Sequence, residues 1–583
     1  MKTEWNLDII YKGLDDPAYE ADVKAFEEAG VKMREFVAKA PSLPEQERIE
    51  SILCCMEDYT QLFFRLSLYQ ELCLSINTED GAMMAQQNRL MKIYSESAAD
   101  TTAAQRIIGS VEDVDALAAK SDLIRDYRYL ILDAKKQCTH LLSNAEEAMI
   151  SAMDMTGGSA WSTLQSYMTS TVKVDYEGKQ VTLSEIRNLA YSPDEKVRKA
   201  AYEAELACYD KIADSIAFAL NNIKNQVTML SAKKGFESPL AQTLEQAHMS
   251  RETLDAMMSA IEEYLPVFRK YLKSKGEKLG HRNGLPWYDL FAPLGKSDKT
   301  YSLEECRDYL LECFDTLTPD MAAMMKEAFE NEWIDFYPRN GKQGGAFCAG
   351  VFDHKQSRIL TNYDGTFSAV DTLAHELGHA FHNRQIENER PLNQDYPMPV
   401  AETASTFNEV HLGQYALKKA ASDEERLALL ESDLREKTQC VVDIYSRYLF
   451  ETAVFEQAQS RFLMADDLKE IMLDSQRKAY GDGLDSDYMH PYMWACKSHY
   501  YSSGLSFYNF PYAFGNLFAQ GLYALYLEQG DAFIANYKEM LRTTPVHTIE
   551  EDGAQLGIDL TSREFWKNSL QMVADEIEEF CKL

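Results

Sequence analysis

The sequence lacks the features that mark secreted and membrane-spanning proteins. Its 11 cysteines are an odd number, are scattered along the chain and contain no Cys-x-x-Cys pair. That pattern is typical of reduced cytosolic thiols rather than of a disulfide framework. The start, MKTEWNLDII, has no basic stretch followed by an apolar run, so no signal peptide is predicted. No apolar run approaches the length of about 18 residues that a membrane span needs. A cytoplasmic location is expected.

Basic residues are also in short supply. Lys and Arg together number 59 against 93 Asp and Glu, which gives a formal net charge of -34. A chain this acidic is a poor partner for nucleic acid or for an anionic membrane surface. The excess acids could favour cationic ligands, but a solvated acidic surface is the simpler explanation.

The apolar residues are those of a globular protein with more than one core. Hydrophobic residues make up 45% of the 583 positions, and this length predicts two or more domains. After PSLPEQER, apolar residues recur at helical spacing, so a long amphipathic helix is expected. Alternating residues in TVKVDYEGKQVTLSE predict a hairpin. A new helix is expected from Ser192, as N-cap, and Pro193. We place a boundary here, between a helical domain at 1–190 and a second domain at 191–583.

A second strand-like region precedes residue 371. GGAFCAGVFD and SRILTNYD are short runs that predict a pair of strands, and Gly344 and Gly345 allow close backbone approach. After residue 400 the pattern returns to helix until a tyrosine-rich loop at 480–512. The predicted fold class is therefore mostly α, with one small β-sheet.

The segment DTLAHELGHAFH carries the clearest chemical signal. Histidine is scarce, at 11 of 583 residues, so His-Glu-x-x-His should occur by chance in about 2 of 100 such chains. On a helix, His375 and His379 stand one turn apart on one face and can reach one metal ion. Glu376 then suits a general base acting on metal-bound water. Gly378 weakens the helix by about 1 kcal/mol relative to Ala, which makes sense if another segment passes close by.

A catalytic zinc usually takes a third protein ligand, and PMPVAETASTFNEVHLG offers one. Glu402 is the predicted ligand on a second helix that follows Pro399; the alternative is a solvated acid in a first helical turn. Ser405 or Glu409, on the same helix face, would hold an imidazole N–H. Asp371 would be a helix N-terminal charge or an outer hydrogen-bond acceptor. His382 is interpreted as a packed or outer histidine rather than a ligand.

Peptide hydrolysis also needs donors for the oxyanion that forms at the scissile carbonyl. The segment HPYMWACKSHYYSSGLSFYNFPYAFG is rich in candidates, although aromatic clusters more often serve packing. Its middle, residues 502–506, has the composition of a mobile loop with usable hinges. The candidates are His490, Tyr492, His499, Tyr500, Tyr501, Tyr508 and Tyr512.

Taken together, the chain resembles oligoendopeptidase F, within the thimet-oligopeptidase-like zinc metallopeptidases. The matching segments run from WNLDIIYKGLDDP at the start, through SPDEKVRKAAYEAE, WYDLFAPLG, GGAFC and ILTNYDGT, to LAHELGHAFH and AETASTFNE. The resemblance implies a two-lobed helical metallopeptidase around a deep substrate channel, with one zinc ion per chain at its floor. It also implies endopeptidase action on short unstructured peptides.

The resemblance implies a role for each matching residue. His375, His379 and Glu402 correspond to the zinc ligands and Glu376 to the general base. His499 and Tyr508 resemble the pair that stabilises the transition state, and Tyr512 the neighbouring tyrosine. This chain departs from the family in HYYSSGLSFYNFPY, so the choice among Tyr501, Tyr508 and Tyr512 stays open. Gly345, Ala346, Phe347 and Tyr501 would bind the substrate, with Ala346 and Phe347 offering main-chain hydrogen bonds by strand addition.

Two other functions are compatible with the same motifs. An exopeptidase would need a fixed charge for a peptide terminus, for which Lys497 and Arg358 are candidates. A helical peptide-binding scaffold without catalysis is the third interpretation, and the complete set of zinc ligands with Glu376 argues against it. Short peptides, rather than nucleic acid or membrane, are the expected partners.

Overall fold

A computed structural model describes residues 2–295 and 299–583, and it confirms a mostly helical fold. In the helix Glu45–Ile76, the side chains of Ile49, Ile52 and Leu53 are fully buried, as the apolar spacing predicts. The first helix, Pro17–Lys39, has Asp16 as its N-cap, and the Asp16 carboxylate accepts a hydrogen bond from the backbone N–H of Ala18. The helices up to residue 171 are α1 (Pro17–Lys39), α2 (Glu45–Ile76), α3 (Gly81–Gly109), α4 (Val114–Ala118), α5 (Asp122–Asp126), α6 (Arg128–Cys138), α7 (Asn144–Asp154) and α8 (Gly158–Thr171).

The predicted hairpin is confirmed. Strands β1 (Lys173–Tyr176) and β2 (Lys179–Thr182) pair antiparallel. Glu177 and Gly178 form the two-residue turn between them, and both have positive φ angles, of 50° and 76°. A turn with two such residues matches the twist of paired strands, and its glycine adopts this conformation without steric cost.

The helix predicted to follow the hairpin starts later than expected. After α9 (Leu183–Asn188), α10 (Glu195–Tyr209) has Asp194 as its N-cap rather than Ser192. The carboxylate of Asp194 accepts a hydrogen bond from the backbone N–H of Lys196. The Ser192 hydroxyl instead accepts from the backbone N–H of Asp194 at 3.2 Å, so it supports the turn before the helix.

The remaining helices build the larger, C-terminal part. One π-helical turn, Gln439–Asp443, joins α19 to α20 without a break. These helices are α11 (Ala213–Lys233), α12 (Pro239–Gln246), α13 (Arg251–Lys278), α14 (Leu303–Asp315), α15 (Pro319–Glu330), α16 (Phe367–Ile386), α17 (Met398–Ala401), α18 (Thr403–Lys419), α19 (Asp423–Thr438), α20 (Ile444–Ala458), α21 (Ala465–Tyr480), α22 (Met493–Cys496), α23 (Phe510–Gln529), α24 (Asp531–Thr543), α25 (Ile549–Gln555) and α26 (Arg563–Lys582).

A small sheet packs against α16, as predicted. Its strands are β3 (Ile334–Asp335), β4 (Phe347–Val351) and β5 (Gln356–Leu360), in the order β3-β5-β4. β4 and β5 pair antiparallel and β3 is parallel to β5. β4 is therefore an edge strand of the sheet, and both β4 and β5 contact α16.

Two apolar cores lie on opposite sides of this sheet. One core is formed by residues from Trp5 to Ile131 and includes Leu360 of β5. The preceding residue of the strand, Ile359, belongs to the other core. Successive side chains of a strand point to opposite faces, so β5 contributes to both. Val174 of the hairpin belongs to the C-terminal core. The division at 1–190 and 191–583 stays a prediction. Within the described residues, every helix is too short or too polar to cross a bilayer.

Candidate metal centre and active site

Helix α16 carries the His-Glu-x-x-His motif. The helix starts at Thr366, whose hydroxyl accepts a hydrogen bond from the backbone N–H of Ala369. Apolar side chains on both sides of the motif hold the helix in the core, so the two histidines project from a rigid element. The Nε2 atoms of His375 and His379 lie 3.2 Å apart. The buried apolar residues are Leu373, Leu377, Ala380 and Phe381.

Glu402 completes a triangle with the two imidazoles. Its Oε2 lies 3.3 Å from Nε2 of His375 and 3.3 Å from Nε2 of His379. A tetrahedral ion held at about 2.0–2.1 Å requires ligand atoms about 3.3–3.4 Å apart. The three atoms therefore already have the spacing that one zinc ion needs. Glu402 sits at the junction of α17 and α18, rather than inside the one continuous helix predicted from the sequence.

Two side chains of α18 orient this triangle. Glu409 Oε1 lies 2.7 Å from Nδ1 of His375, which fixes the ring and leaves its Nε2 facing the other ligand atoms. The Ser405 hydroxyl donates to Glu402 Oε2 at 2.9 Å, so it orients the carboxylate and not an imidazole. Asp371 lines the cavity next to the site, together with Glu409.

Gly378 allows α18 to approach α16 closely, as its place in the motif suggested. A Cβ atom at this position would lie 2.6 Å from both the carbonyl oxygen of Ala404 and the Cα of Ser405. Asn408 of α18 also donates from Nδ2 to the carbonyl of Ala374 at 3.0 Å. Together these contacts hold the segment that carries Glu402 against the histidines.

A second glycine supports the site and was missed in the sequence. A Cβ atom at Gly515 of α23 would lie 3.2 Å from Cβ of Glu402. Glycine at this position lets α23 pack tightly behind Glu402. The only sequence signal was a glycine inside an otherwise helical pattern, which by itself indicates close packing without naming its partner.

The charges of the triangle favour a cation at its centre. Burial opposes the imidazolium form, but hydrogen bonds with Glu402 and Glu409 outweigh burial and raise the pKa of His375 to about 11. Burial likewise opposes the carboxylate of Glu402, yet hydrogen bonds from both histidines hold its pKa well below the ordinary value. These two shifts mean that the triangle favours positive charge. A bound divalent ion could provide that charge in place of the protons on the histidines.

Glu376 is also buried, but unlike Glu402 it lacks hydrogen bonds from the two histidines that would offset the cost of burying its charge. It is 4% exposed, and its Oε2 has no hydrogen-bond partner among residues 2–295 and 299–583. Burial raises its pKa, while the neighbouring His375 and His379 lower it to a smaller extent. A raised pKa makes this carboxylate a better proton acceptor at neutral pH.

Glu195, His281 and Asp289 form another group with metal-ligand atoms close together. Asp289 is fully buried and already forms an ion pair with Arg198 at 2.7 Å. His281 Nε2 lies 2.6 Å from the same carboxylate. Because Arg198 already neutralises Asp289 and Glu195 is exposed, this group is an ionic network, and the triangle of His375, His379 and Glu402 is the better candidate metal site.

His499, Tyr508 and Tyr512 form one aromatic cluster. The ring centroids of His499 and Tyr508 are 5.0 Å apart, and Tyr512 lies 6.0 Å from His499 and 5.9 Å from Tyr508. Tyr512 also lines the cavity that borders His375 and Glu402. Burial, with the nearby cations of α20 and the loop, lowers the pKa of His499 to about 4, so this ring is neutral at pH 7.

Tyr501 lies outside this cluster. Its side chain is fully buried, and its hydroxyl donates to the backbone carbonyl of Trp494 at 2.9 Å. The structure therefore leaves Tyr501 no access to a substrate. His490, Tyr492 and Tyr500 are buried as well, so they belong to the core. His382 is also a packed residue; it is fully buried and stacks on another ring.

The predicted substrate strand lies at the open edge of the sheet. Phe347 is the first residue of β4, and Gly345 and Ala346 lead into it. Gly345 has a φ of 82°, a conformation that favours glycine, and its carbonyl accepts a hydrogen bond from Nδ2 of Asn362 at 2.8 Å. An extended chain could pair with this edge, but a substrate-binding role for these residues stays a prediction.

Comparison with known proteins agrees with this geometry. The family model described as Peptidase family M3 matches residues 188–572, and a model described as Oligopeptidase F matches residues 110–173. Oligopeptidase PepF of Bacillus subtilis (strain 168) is 24% identical over 590 residues, which cover 99% of this chain and 87% of that protein. An oligoendopeptidase F homolog of Lactococcus lactis subsp. lactis (strain IL1403) is 24% identical over 602 residues, covering 100% and 97%. The crystal structure of oligoendopeptidase-F from Enterococcus faecium superimposes with a TM-score of 0.69 at 18% identity, covering 96% of this chain and 98% of that one.

Proposed function

Because the chain belongs to peptidase family M3, we propose that it is a zinc-dependent endopeptidase that cleaves internal bonds of short unstructured peptides. Peptide hydrolysis follows from the family. The observation that supports zinc is the triangle of His375, His379 and Glu402, whose ligand atoms lie 3.2–3.3 Å apart. Two imidazoles and one carboxylate are a common ligand set of catalytic zinc in peptidases.

His375, His379 and Glu402 would hold one zinc ion per chain. When bound, zinc acts as a Lewis acid toward a carbonyl and lowers the pKa of water. Glu409 holds the ring of His375, and Ser405 holds the carboxylate of Glu402, so the ligands keep their positions without reorganisation.

Glu376 would move the protons of the reaction. As the general base it accepts a proton from the attacking water, and as the acid it returns that proton to the amine that leaves. Its burial excludes competing hydrogen bonds, and the raised pKa brings it closer to neutral pH. Tyr512, beside Glu402 in the cavity, and Tyr508 are the candidates to donate a hydrogen bond to the developing oxyanion. Neutral His499, in contact with both tyrosine rings, would help to position them.

The edge strand β4 supports a preference for unstructured peptides. A peptide that pairs with β4 must be extended, and its backbone must have free N–H and C=O groups. The metal site itself is recessed, with 25% of the His375 side chain and 17% of the His379 side chain exposed. A folded protein cannot present an extended segment that deep without local unfolding.

The exopeptidase alternative has little support. Arg358 is fully buried, and it donates to the backbone carbonyls of Asn6 and Ser357, each at 2.8 Å. Its guanidinium group is therefore held inside the protein rather than presented to a peptide terminus. For Lys497, burial and the neighbouring Arg447 lower the pKa, which weakens it as a permanent cation for a carboxylate. All 11 cysteines are free thiols, which supports a reducing, cytoplasmic location.

The test is cleavage of a mixed pool of unstructured peptides by the wild type and by Glu376→Gln, read by mass spectrometry. We expect internal cuts that vanish in the variant while its zinc content, measured by atomic absorption, stays at one per chain. Retained zinc with lost cleavage would assign the loss to the base. Cuts that survive in Glu376→Gln would refute the mechanism, and products from one terminus alone would favour an exopeptidase.

A further inference from the structure

A cavity of about 470 Å³ opens beside the metal triangle. His375, Glu402 and Tyr512 form the wall that it shares with the site. The other walls come from α16, α18, α19, α23 and α26, and they carry many carboxylates. The acidic residues that line it, besides Glu402, are Asp371, Glu409, Asp433, Glu436 and Glu576.

The nearby cations do not balance these acids. Among the cavity-lining residues in the described part of the chain, Lys437 is the sole Lys or Arg. Its ammonium already pairs with Asp433 at 2.7 Å and with Glu576 at 2.6 Å. Asp371 and Glu436 remain in excess; Glu436 has 67% of its side chain accessible, and its nearest cation is 3.9 Å away.

Carboxylates that crowd together without a compensating cation repel one another. A cationic ligand that enters the cavity would relieve the repulsion among these carboxylates.

An independent feature marks the cavity as a ligand site. Gln520 of α23 lines it and is fully buried, yet neither Nε2 nor Oε1 of its amide has a partner in the described residues. Oδ1 of Asn516, one turn earlier, is also unpartnered. Burying an unpaired amide costs free energy, so such a group in a cavity wall indicates that a polar ligand completes it.

The remaining surface suits a long aliphatic stem. Phe367, Val410 and Leu417 line the cavity together with the acids. Lysine and arginine side chains place their methylene groups along apolar surface and direct their charged ends to polar groups. A neutral polar ligand would leave the acidic excess uncompensated, and an anion would be repelled.

We propose that this cavity is a specificity subsite that accepts the arginine or lysine side chain of a residue flanking the scissile bond. The proposal rests on the endopeptidase function above and names its substrate class. The ammonium or guanidinium group pairs with Asp371 and Glu436, and the amide of Gln520 accepts one of its N–H groups.

The test measures binding, so that it does not depend on turnover. Two fluorescent peptides differ at one position that flanks the scissile bond, arginine in one and citrulline, its neutral isostere, in the other. Their Kd values are measured for the zinc-loaded Glu376→Gln variant by fluorescence anisotropy. We expect the arginine peptide to bind about tenfold more tightly, as partly shielded charge pairs allow. Equal affinity for the two peptides would overturn the subsite.

Variants of the cavity residues test which side chains cause the preference for the arginine peptide. Added to Glu376→Gln, the pair Asp371→Asn and Glu436→Gln should reduce the preference to less than about threefold. Glu424→Gln, an exposed acid of α19 outside the cavity, should leave it unchanged. Gln520→Met keeps the volume and should reduce the preference about threefold, which tests the subsite even if the double variant does not fold. A preference unchanged in these variants would overturn the proposal.

The same peptides separate this proposal from the proposed function. If the wild type cuts neither peptide internally, the endopeptidase function fails, while the Kd ratio still decides the subsite. If the wild type cuts both at equal kcat/KM and the Kd values are equal, the endopeptidase function stands and the subsite is refuted.

Discussion

Replacing Gly378 by alanine tests how the third ligand is held. The added methyl group would lie 2.6 Å from the carbonyl oxygen of Ala404 and 2.6 Å from the Cα of Ser405. Both contacts are with backbone atoms, so no flexible side chain can turn aside. Either α16 or α18 has to move, and Glu402 is at the start of α18.

Two opposing effects decide the size of the change. Alanine is favoured over glycine inside a helix by about 1 kcal/mol. Overpacking a close-packed contact costs about 1–3 kcal/mol, because the surroundings have to shift. With contacts this short, we expect the upper part of that range and a net loss of about 1–2 kcal/mol. Movement of Glu402 should also weaken zinc binding about tenfold, as disturbed support of a zinc ligand does.

The assay compares Gly378→Ala with a control glycine on α18. A Cβ atom at Gly413 would meet no atom within 4 Å, so Gly413→Ala should stabilise by about 0.5–1 kcal/mol. Urea unfolding midpoints and zinc content after dialysis against a competing chelator report the two effects. If Gly378→Ala unfolds no earlier than the wild type and keeps its zinc as well, the argument from close approach is refuted.

Three further predictions concern single side chains. Glu409→Ala removes the acceptor of the His375 N–H and should lower zinc affinity by about 10–100-fold, measured by chelator competition; unchanged affinity would contradict the role of Glu409. Tyr501→Phe loses the bond to the Trp494 carbonyl and should cost about 1 kcal/mol in urea unfolding with kcat unchanged; a large fall in kcat would return Tyr501 to the active site. Burial lowers the pKa of His382 to about 3. Below the ordinary histidine pKa of about 6.5, His382 therefore takes up a proton in the unfolded chain but not in the folded chain, and the free energy of unfolding decreases as the pH falls. From pH 7.5 to 5.5 the wild type should lose about 1.4 kcal/mol more than His382→Gln; equal losses would show that this ring titrates normally.

The motif on α16 could be predicted because its chemistry is local. A spacing of four residues is about one helical turn, so His375 and His379 had to share a face once the segment formed a helix. Gly378, between the two histidines, makes the helix less stable than alanine would, and this cost predicted that another segment packs closely against it. The pair of strands was equally local, because alternating runs and a short connection determine such a pairing.

The rest of the site depends on contacts between distant segments. Glu402 was found from a helical pattern, but the break before Thr403 has no strong local signal; Glu402 itself ends one helix and precedes the next. Tyr501 and Tyr508 are both tyrosines in one loop, and nothing in their spacing tells which ring points into the core. Burial separates them: Tyr501 is fully buried, whereas Tyr508 contacts His499.

Helix α23 borders both the proposed metal site and the proposed specificity subsite. Tyr512, Asn516 and Gln520 recur every four residues, so they lie on one face of α23, and all three line the cavity. Gly515 of the same helix packs behind Glu402. A small tilt of α23 would therefore move Tyr512, the helix surface behind Glu402 and the amide of Gln520 together. Because Tyr512 and Gln520 are two turns, about 12 Å, apart along α23, their single substitutions should have additive effects on kcat/KM in a double-mutant cycle, and a clear departure from additivity would show that the helix couples them.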